Sequence, residues 1–357
     1  MATDVSIDRE LEQFYKELEQ HDLQPLWTQA KDLMSKHPKP DAVPWLWRWE
    51  TLRRLAARGG ELVGIERGGE RRVLSLSNPG LHGKPYATPT LWGAVQYLNA
   101  HETAPAHRHT AAAIRFVLEG DGVWTTVNGD ACDMHPGDLV LTPAWTWHDH
   151  CNDGDKTMIW FDGLDLPLVN ALDAIFYENY PDLNQRVQGE HNRSARNFGG
   201  PGLLPAGERP AEPFSPLWVY RWEDSDRALA ALLRERGGPM VSIEFVDPTR
   251  GVSALPTFDC QLHRIAAGGR TKPVRRTGSA ILVVYRGHGS SVLNGQRFDW
   301  SQGDMIVVPS WTAVEHQAAE ETDIFAVSDT PMLRALHLFR EETLDAAQNV
   351  TSTFEPR

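Results

Sequence analysis

The sequence predicts an all-β dominated protein with two like-folded β-barrel domains, an N-terminal helical arm and a short C-terminal helix. Three observations predict it. Across residues 61–168, and again from about 240 to 330, short Val/Ile/Leu/Trp runs alternate with turn signals such as "NPG", "NGD" and "PGD", the texture of antiparallel strands joined by tight turns. These two stretches are copies: "FVLEGDGVWTTVNGD" (116–130) aligns with "VVYRGHGSSVLNGQ" (283–296), and "HPGDLVLTPAWTWHDH" (135–150) aligns with "SQGDMIVVPSWTAVEH" (301–316), at offsets of 167 and 166. A repeat this long means two domains of one fold. Finally, the chain ends read as helix, with Leu11, Phe14, Tyr15 and Leu18 at helical spacing near the start and "MLRALHLFREETLDAAQ" amphipathic near the end.

Taken in order, residues 1–60 form the arm: a helix, a break at "LQPLW", a short helical run "TQAKDLMSK", then "HPKPDAVPWLWRWETLRRLAARGG". This last piece opens on prolines and closes on Gly-Gly, so it is expected to lie as turns and a helix over the following domain, burying Trp45, Trp47 or Trp49. The first β domain spans 61–168, a Gly/Pro/Asn-rich linker 169–238, the second β domain 239–332, and a C-terminal helix and tail 333–357. Composition limits the partners. A formal net charge of -13 excludes a general nucleic-acid binder, which needs a basic face. No apolar run approaches the roughly 20 residues of a membrane span, and the N-terminus has neither a basic nor an apolar leader region. Three cysteines suit neither a disulfide framework nor a zinc ribbon, and a cytoplasmic setting is expected.

The chemistry is concentrated in "APAHRHTAAAIRFVLEG" (104–120). Residues i and i+2 of a strand share a face, so His107 and His109 both aim inward from one strand. In the second half of the copy, Gly137 leads a buried strand to Pro143 and on to His148, which a small barrel returns beside the first pair. Three neutral imidazoles with open positions suit a divalent first-row metal that must also hold substrate. His150 shares the face of His148 and fits a fourth ligand, a neighbouring base or a polar residue beyond the strand; a substrate-contacting role is favoured, because the second copy retains it as His316. Val274, Arg276 and Val314 occupy the three ligand positions in that copy, so one metal site per chain is expected. Arg115 has the parity of His107 and His109 and interrupts an apolar run, and a buried guanidinium calls for an anionic partner. Arg67, Arg71 and Arg72 flank a Gly-Gly turn, and with Arg115 they suggest a carboxylate substrate; Trp92 and Gln96 add an apolar wall and a neutral hydrogen-bonding group.

Gly137, Pro143, His148 and Asn152 meet the second cupin motif, with Trp145 where glycine is usual, while the Glu of the first motif is missing, its positions being Ala113 and Ile114. With "PLWTQ", "ERGGERR", "ETAPAHRH", "WFDGLD" and "GDMIVVPSW", the chain resembles over nearly its whole length the bicupin ring-cleaving dioxygenases of gentisate, salicylate and 1-hydroxy-2-naphthoate. The resemblance implies two jelly-roll domains and Fe(II) held by His107, His109 and His148. It implies that Arg67, Arg71, Trp92, Gln96, Arg115, His150 and Asp162 surround an aromatic acid, with His150, Arg115 and Asp162 catalytic. It also implies O2 as co-substrate, a homotetramer, and cleavage of gentisate between carbons 1 and 2 to maleylpyruvate. Ala94 and Val73, expected beside the ring, narrow the pocket and favour gentisate. Two alternatives stand: a relative acting on salicylate or 1-hydroxy-2-naphthoate, and a non-catalytic bicupin binding an aromatic acid. A three-histidine site also admits Mn, Ni or Zn.

Overall fold

The computed structural model describes residues 2–64, 67, 72–208 and 210–356. The chain separates into two compact units, residues 1–39 and 40–357. The first consists of α1 (Ala2–Gln20) and α2 (Leu26–Leu33), linked by Trp27 Nε1 donating to Tyr15 Oη at 3.1 Å.

The second unit runs β1 (Trp45–Trp47), α3 (Trp49–Leu62), β2 (Val73–Ser75), β3 (Trp92–Leu98), β4 (Thr103–His109), β5 (Ala113–Glu119), β6 (Val123–Val127), β7 (Asp130–Asp133), β8 (Leu139–Thr142), β9 (His148–Asn152) and β10 (Met158–Leu164). It continues α4 (Leu166–Ala171), β11 (Tyr177–Asn179), α5 (Arg193–Phe198), β12 (Val219–Tyr220), α6 (Trp222–Arg236), β13 (Met240–Glu244), β14 (Asp259–Ile265), β15 (Val274–Arg276) and β16 (Ala280–Arg286). It closes with β17 (His288–Leu293), β18 (Gln296–Ser301), β19 (Met305–Val308), β20 (Val314–Ala318), β21 (Thr322–Ser328), α7 (Thr330–Ala335), β22 (Glu341–Thr343) and β23 (Ser352–Thr353). Each barrel has two sheets, ordered β12-β8-β5-β10-β3-β2 and β11-β4-β9-β6-β7 in the first, β1-β19-β16-β21-β14-β13 and β22-β15-β20-β17-β18-β23 in the second.

Strand alternation decides what each face does. On β5, Ile114 and Phe116 point out of the first barrel into a core shared with Ile281, Val283, Phe325 and Val327 of the second. Phe116 stacks on Phe325 with centroids 4.0 Å apart and planes 3° apart. Each such side chain withdrawn from water contributes about 1.5–3 kcal/mol, so the two barrels are one packed body. The alternate residues Arg115 and Val117 face the interior, where Val117 packs with Val140 and Trp160.

The duplication is larger than the strand motifs show. β1 pairs with β19 of the second barrel, whereas β12 pairs with β8 of the first. At Gly137 the backbone is left-handed (φ +87°) and a Cβ would come within 2.7 Å of Trp222 Cγ. Gly303 stands in the same relation to Trp49. Beside these glycines, Asp304 accepts from Trp49 N at 2.8 Å and Arg48 Nη1 at 2.7 Å, and Asp138 accepts from Trp222 N at 2.9 Å and Arg221 Nη1. After each barrel a short helix leads to a strand in one register: Asn179 lies opposite His107, and Thr343 opposite Val274.

Three expectations are corrected. The 333–357 helix ends at Ala335; beyond it β22 and β23 add to the second barrel, because backbone pairing with β15 and β18 overrides a helical apolar period. The 169–238 linker holds α4, α5, α6, β11 and β12. Within it, α6 has Glu223 and Asp224 in its first turn, Arg234 and Arg236 in its last, and Gly237 at φ +62° just beyond, all in keeping with the helix dipole and a glycine stop. Residues 40–62 do not belong with the compact arm, and Gly59 and Gly60 lie inside α3 instead of closing it. Of the three tryptophans, Trp45 and Trp47 are half-buried on β1 against the second barrel, while α3 packs on β3 of the first and Trp49 Nε1 donates to Glu119 Oε1 there at 3.2 Å.

Candidate metal centre and substrate pocket

β4 delivers His107 and His109, and its route contains a bulge: Ala104 lies opposite His150 and His107 opposite His148, so one extra residue is inserted around Pro105. Proline suits this point, since no ladder N–H is needed there. The Pro105 carbonyl lies 2.9 Å from His107 Nδ1, Ala111 O lies 2.7 Å from His109 Nδ1, and Thr146 O lies 3.0 Å from His148 Nδ1. A carbonyl only accepts, so each Nδ1 carries the proton and each Nε2 is the lone-pair atom. One ligand nitrogen from each ring lies within 4.8 Å of the others. His148 Nε2 is buried with no hydrogen-bond partner. Burial, then the neighbouring rings and Arg115, hold the His148 pKa well below 6.5. Three preset neutral imidazoles with an orphaned buried nitrogen fit a metal ion.

Trp145, at the position usually glycine, explains that usage: its φ is +61°, a left-handed conformation that costs a side-chain-bearing residue about 1–2 kcal/mol. The Arg108 guanidinium lies 4.3 Å from the rings of both Trp145 and Trp147, an offsetting cation–π contact.

Trp92, Gln96, His107, His109, Arg115, His148, His150 and Asp162 all line one cavity of about 430 Å³. Arg115 Nη1 donates to Thr142 Oγ1 at 2.8 Å and its Nε lies 3.6 Å from Asp162 Oδ1, but that Nε has no hydrogen-bond partner. Asp162 sits directly across from Arg115 on β10 and accepts from Trp160 Nε1 at 3.0 Å. Burial raises the Asp162 pKa to about 6 against the opposing pull of Arg115. Thr125 Oγ1 donates to Met134 Sδ, so it accepts from His150 Nδ1 at 2.8 Å, which leaves Nε2 of His150 as the acceptor. Burial, then Arg115 and His107, keep this ring neutral well below 6.5.

Not every candidate lines this cavity: Arg67 is exposed and is not among its lining residues, and Arg71 lies outside the described residues. Arg72 turns away to Glu102 and Val63 O. Ala94 is fully buried opposite Asp162 but does not line the cavity, whereas Val73 does. Ile175, Phe176 and Tyr177 were missed; Tyr177 stacks on His107 with centroids 5.3 Å apart and planes 27° apart. An aromatic run inside a polar, proline-rich stretch was the signal available for them.

Residues 94–164 match the Cupin domain family. A gentisate 1,2-dioxygenase of Streptomyces sp. is 50% identical over 339 residues, covering 92% of this chain and 94% of the relative. A 5-aminosalicylate 1,2-dioxygenase of Comamonas sp. is 34% identical over 360 residues, covering 98% and 96%. The crystal structure of salicylate 1,2-dioxygenase from Pseudoaminobacter salicylatoxidans with gentisate matches at a TM-score of 0.90 and 44% identity, covering 94% of each chain. Fold and site together define a bicupin enzyme with an all-histidine metal centre in the first of its two barrels. The chain belongs to the family of ring-cleaving dioxygenases that includes gentisate 1,2-dioxygenase.

Proposed function

We propose that this enzyme opens gentisate between carbons 1 and 2 with O2, giving maleylpyruvate, with Fe(II) held by His107, His109 and His148. The observation that carries the reading is the buried Arg115, its Nε without a hydrogen-bond partner, in the cavity of the three histidines. That guanidinium takes the substrate carboxylate, since an anion there satisfies a donor that otherwise costs about 1–3 kcal/mol. Thr142 and Asp162 fix its plane. Fe(II), held by the three histidines, would supply the Lewis acidity and redox activity that let O2 react with an aromatic ring. His150, tethered through Nδ1, offers Nε2 to take the proton of the substrate's 2-hydroxyl and return it. Asp162 or Gln96 recognises the 5-hydroxyl, and Trp92, anchored by Nε1 donating to Ser75 Oγ at 3.1 Å, walls the ring. Val73 narrows the pocket towards one tight pose.

An oxygen electrode with Fe(II)-loaded protein tests it against gentisate, salicylate and 1-hydroxy-2-naphthoate, with the maleylpyruvate chromophore followed in parallel. Gentisate is expected to be turned over fastest, Arg115→Met to lower kcat/KM about 100-fold, and His107→Ala to abolish uptake. Salicylate turnover at a comparable rate would reassign the substrate, and full activity with Mn, Ni or Zn but not iron would reassign the metal. No helix among the described residues is long and apolar enough to cross a membrane. The three cysteines are buried and unpaired, in keeping with the reducing, cytoplasmic setting of this reading. A homotetramer, with the Trp-rich arm before residue 50 at its interface, completes the reading; sedimentation velocity of the full chain should show a tetramer, and a monomer or dimer would overturn it.

A further inference from the structure

The second barrel has lost its metal ligands but not its interior. The pair Val274–Val314 stands across β15 and β20 as His107–His148 stands across β4 and β9, and Arg276 replaces His109. Between these strands and β14 lies a cavity of about 230 Å³, lined by Asp259, Gln261, His263, Arg276 and His316 among apolar walls such as Leu282. By strand register, Asp259 and His263 occupy the places of Trp92 and Gln96. The lining thus became more polar at some positions as it lost the metal.

We propose that this cavity is a second binding site, for a small hydroxylated carboxylic acid, with the ligand carboxylate on Arg276 and its hydroxyl between Asp259 and His263. Asp259 is 4% exposed; its Oδ2 accepts from Gln261 Nε2 at 2.9 Å, Ser328 of the same lining interacts with the carboxyl, and its Oδ1 meets no donor at full hydrogen-bond geometry. A buried carboxylate oxygen short of hydrogen bonds is costly, and a space no longer used would be filled more cheaply by apolar side chains. His263 and His316 each hold Nδ1 within 2.7 Å of a serine hydroxyl, Ser242 and Ser291. Burial keeps His263 near 3 and His316 near 4, so both rings are neutral at pH 7 and the positive charge comes from Arg276, with Lys272 beside it in the lining. Arg276 meets Glu341 at 3.3 Å, both side chains 44% exposed. An exposed pair of this kind is weak enough to yield to a ligand carboxylate. A cavity of this size accommodates a single substituted ring and little more.

The proposal does not depend on the substrate of the first barrel, and its test separates the two sites. Equilibrium dialysis of the full chain against radiolabelled 4-hydroxybenzoate, which carries the two groups at opposite ends, is run on wild type, Arg115→Met, and Arg115→Met with Arg276→Met. The Arg115→Met protein is expected to bind one equivalent per chain, and adding Arg276→Met to weaken that binding at least tenfold. Arg276 is exposed, so its replacement leaves the core intact, and a thermal melt checks this. Val314→Phe in the Arg115→Met background, filling the cavity, should have the same effect. No binding to the Arg115→Met protein, or binding indifferent to both Arg276→Met and Val314→Phe, overturns the proposal.

Discussion

Asp162 illustrates how one buried side chain couples the site to stability. In the folded chain it keeps its proton to about pH 6, against an ordinary 3.8, because burial outweighs the attraction of Arg115. The folded state therefore holds an extra proton between those values, and its stability falls as pH rises through them. Asp162→Asn removes this term, so urea titrations at pH 4 and pH 7 should show the variant gaining on wild type by up to about 3 kcal/mol over that interval. A constant difference between variant and wild type would mean that Asp162 is already ionised at pH 4. The parity that puts Arg115 inside was legible in the sequence, since a strand has a fixed two-residue period. The left-handed backbone at Trp145 was not, because nothing local to an L-residue announces it; only the glycine usual at that position in the motif hinted at it.

At the level of elements, the three ligands could be read because the i, i+2 spacing of His107 and His109 survives beyond the bulge in β4 and His148 opens β9, both strands bounded by strong turn signals. β11 could not be read: three residues in a polar loop form a strand only because β4 offers an edge, and no local periodicity encodes that. The same holds for β22, where a helical apolar pattern gives way to pairing with β15. Yet β11 helps close the metal cavity. Arg108 Nε donates to Glu178 Oε2 at 2.7 Å, Tyr177 covers His107, and Phe176 meets Trp145 edge-on with centroids 6.1 Å apart. Tyr177→Ala opens this side and removes the ring stacked on His107 while leaving all three ligand histidines in place. It should leave the bound-metal content unchanged while raising KM for gentisate about tenfold, measured by metal analysis and steady-state kinetics on the same preparation. Loss of metal in this variant would make Tyr177 a support of the ligand set instead.

Across the whole molecule, the halves are tied by exchanged contacts. Thr257 Oγ1 of the second half donates to Asp165 at 2.6 Å, and Thr90 Oγ1 of the first donates to Asp329 at 2.5 Å. Arg48 and Trp49 seat on Asp304, Arg221 and Trp222 on Asp138. Asp304→Ala strands a backbone N–H and a guanidinium, and should destabilise the chain by about 3 kcal/mol. Scanning calorimetry of this variant should still give a single transition, because neither barrel keeps its edge strand without the other; two resolved transitions would show the barrels to be independent. The repeat signalled two domains, but it could not show that each lends its leading strand to the other, since register within a copy says nothing about which copy is the partner.

This reciprocity bears on why a barrel without ligands persists at all. The wall that Phe325 presents to Phe116 backs the very strand that carries Arg115, and β12, which edges the catalytic sheet, is encoded at the threshold of the second half. Deleting the ligand-less half would strip the catalytic barrel of a border and a backing together. Selection on ring cleavage alone is therefore enough to preserve the outer architecture of that half, while its interior remains at liberty to acquire a chemistry of its own.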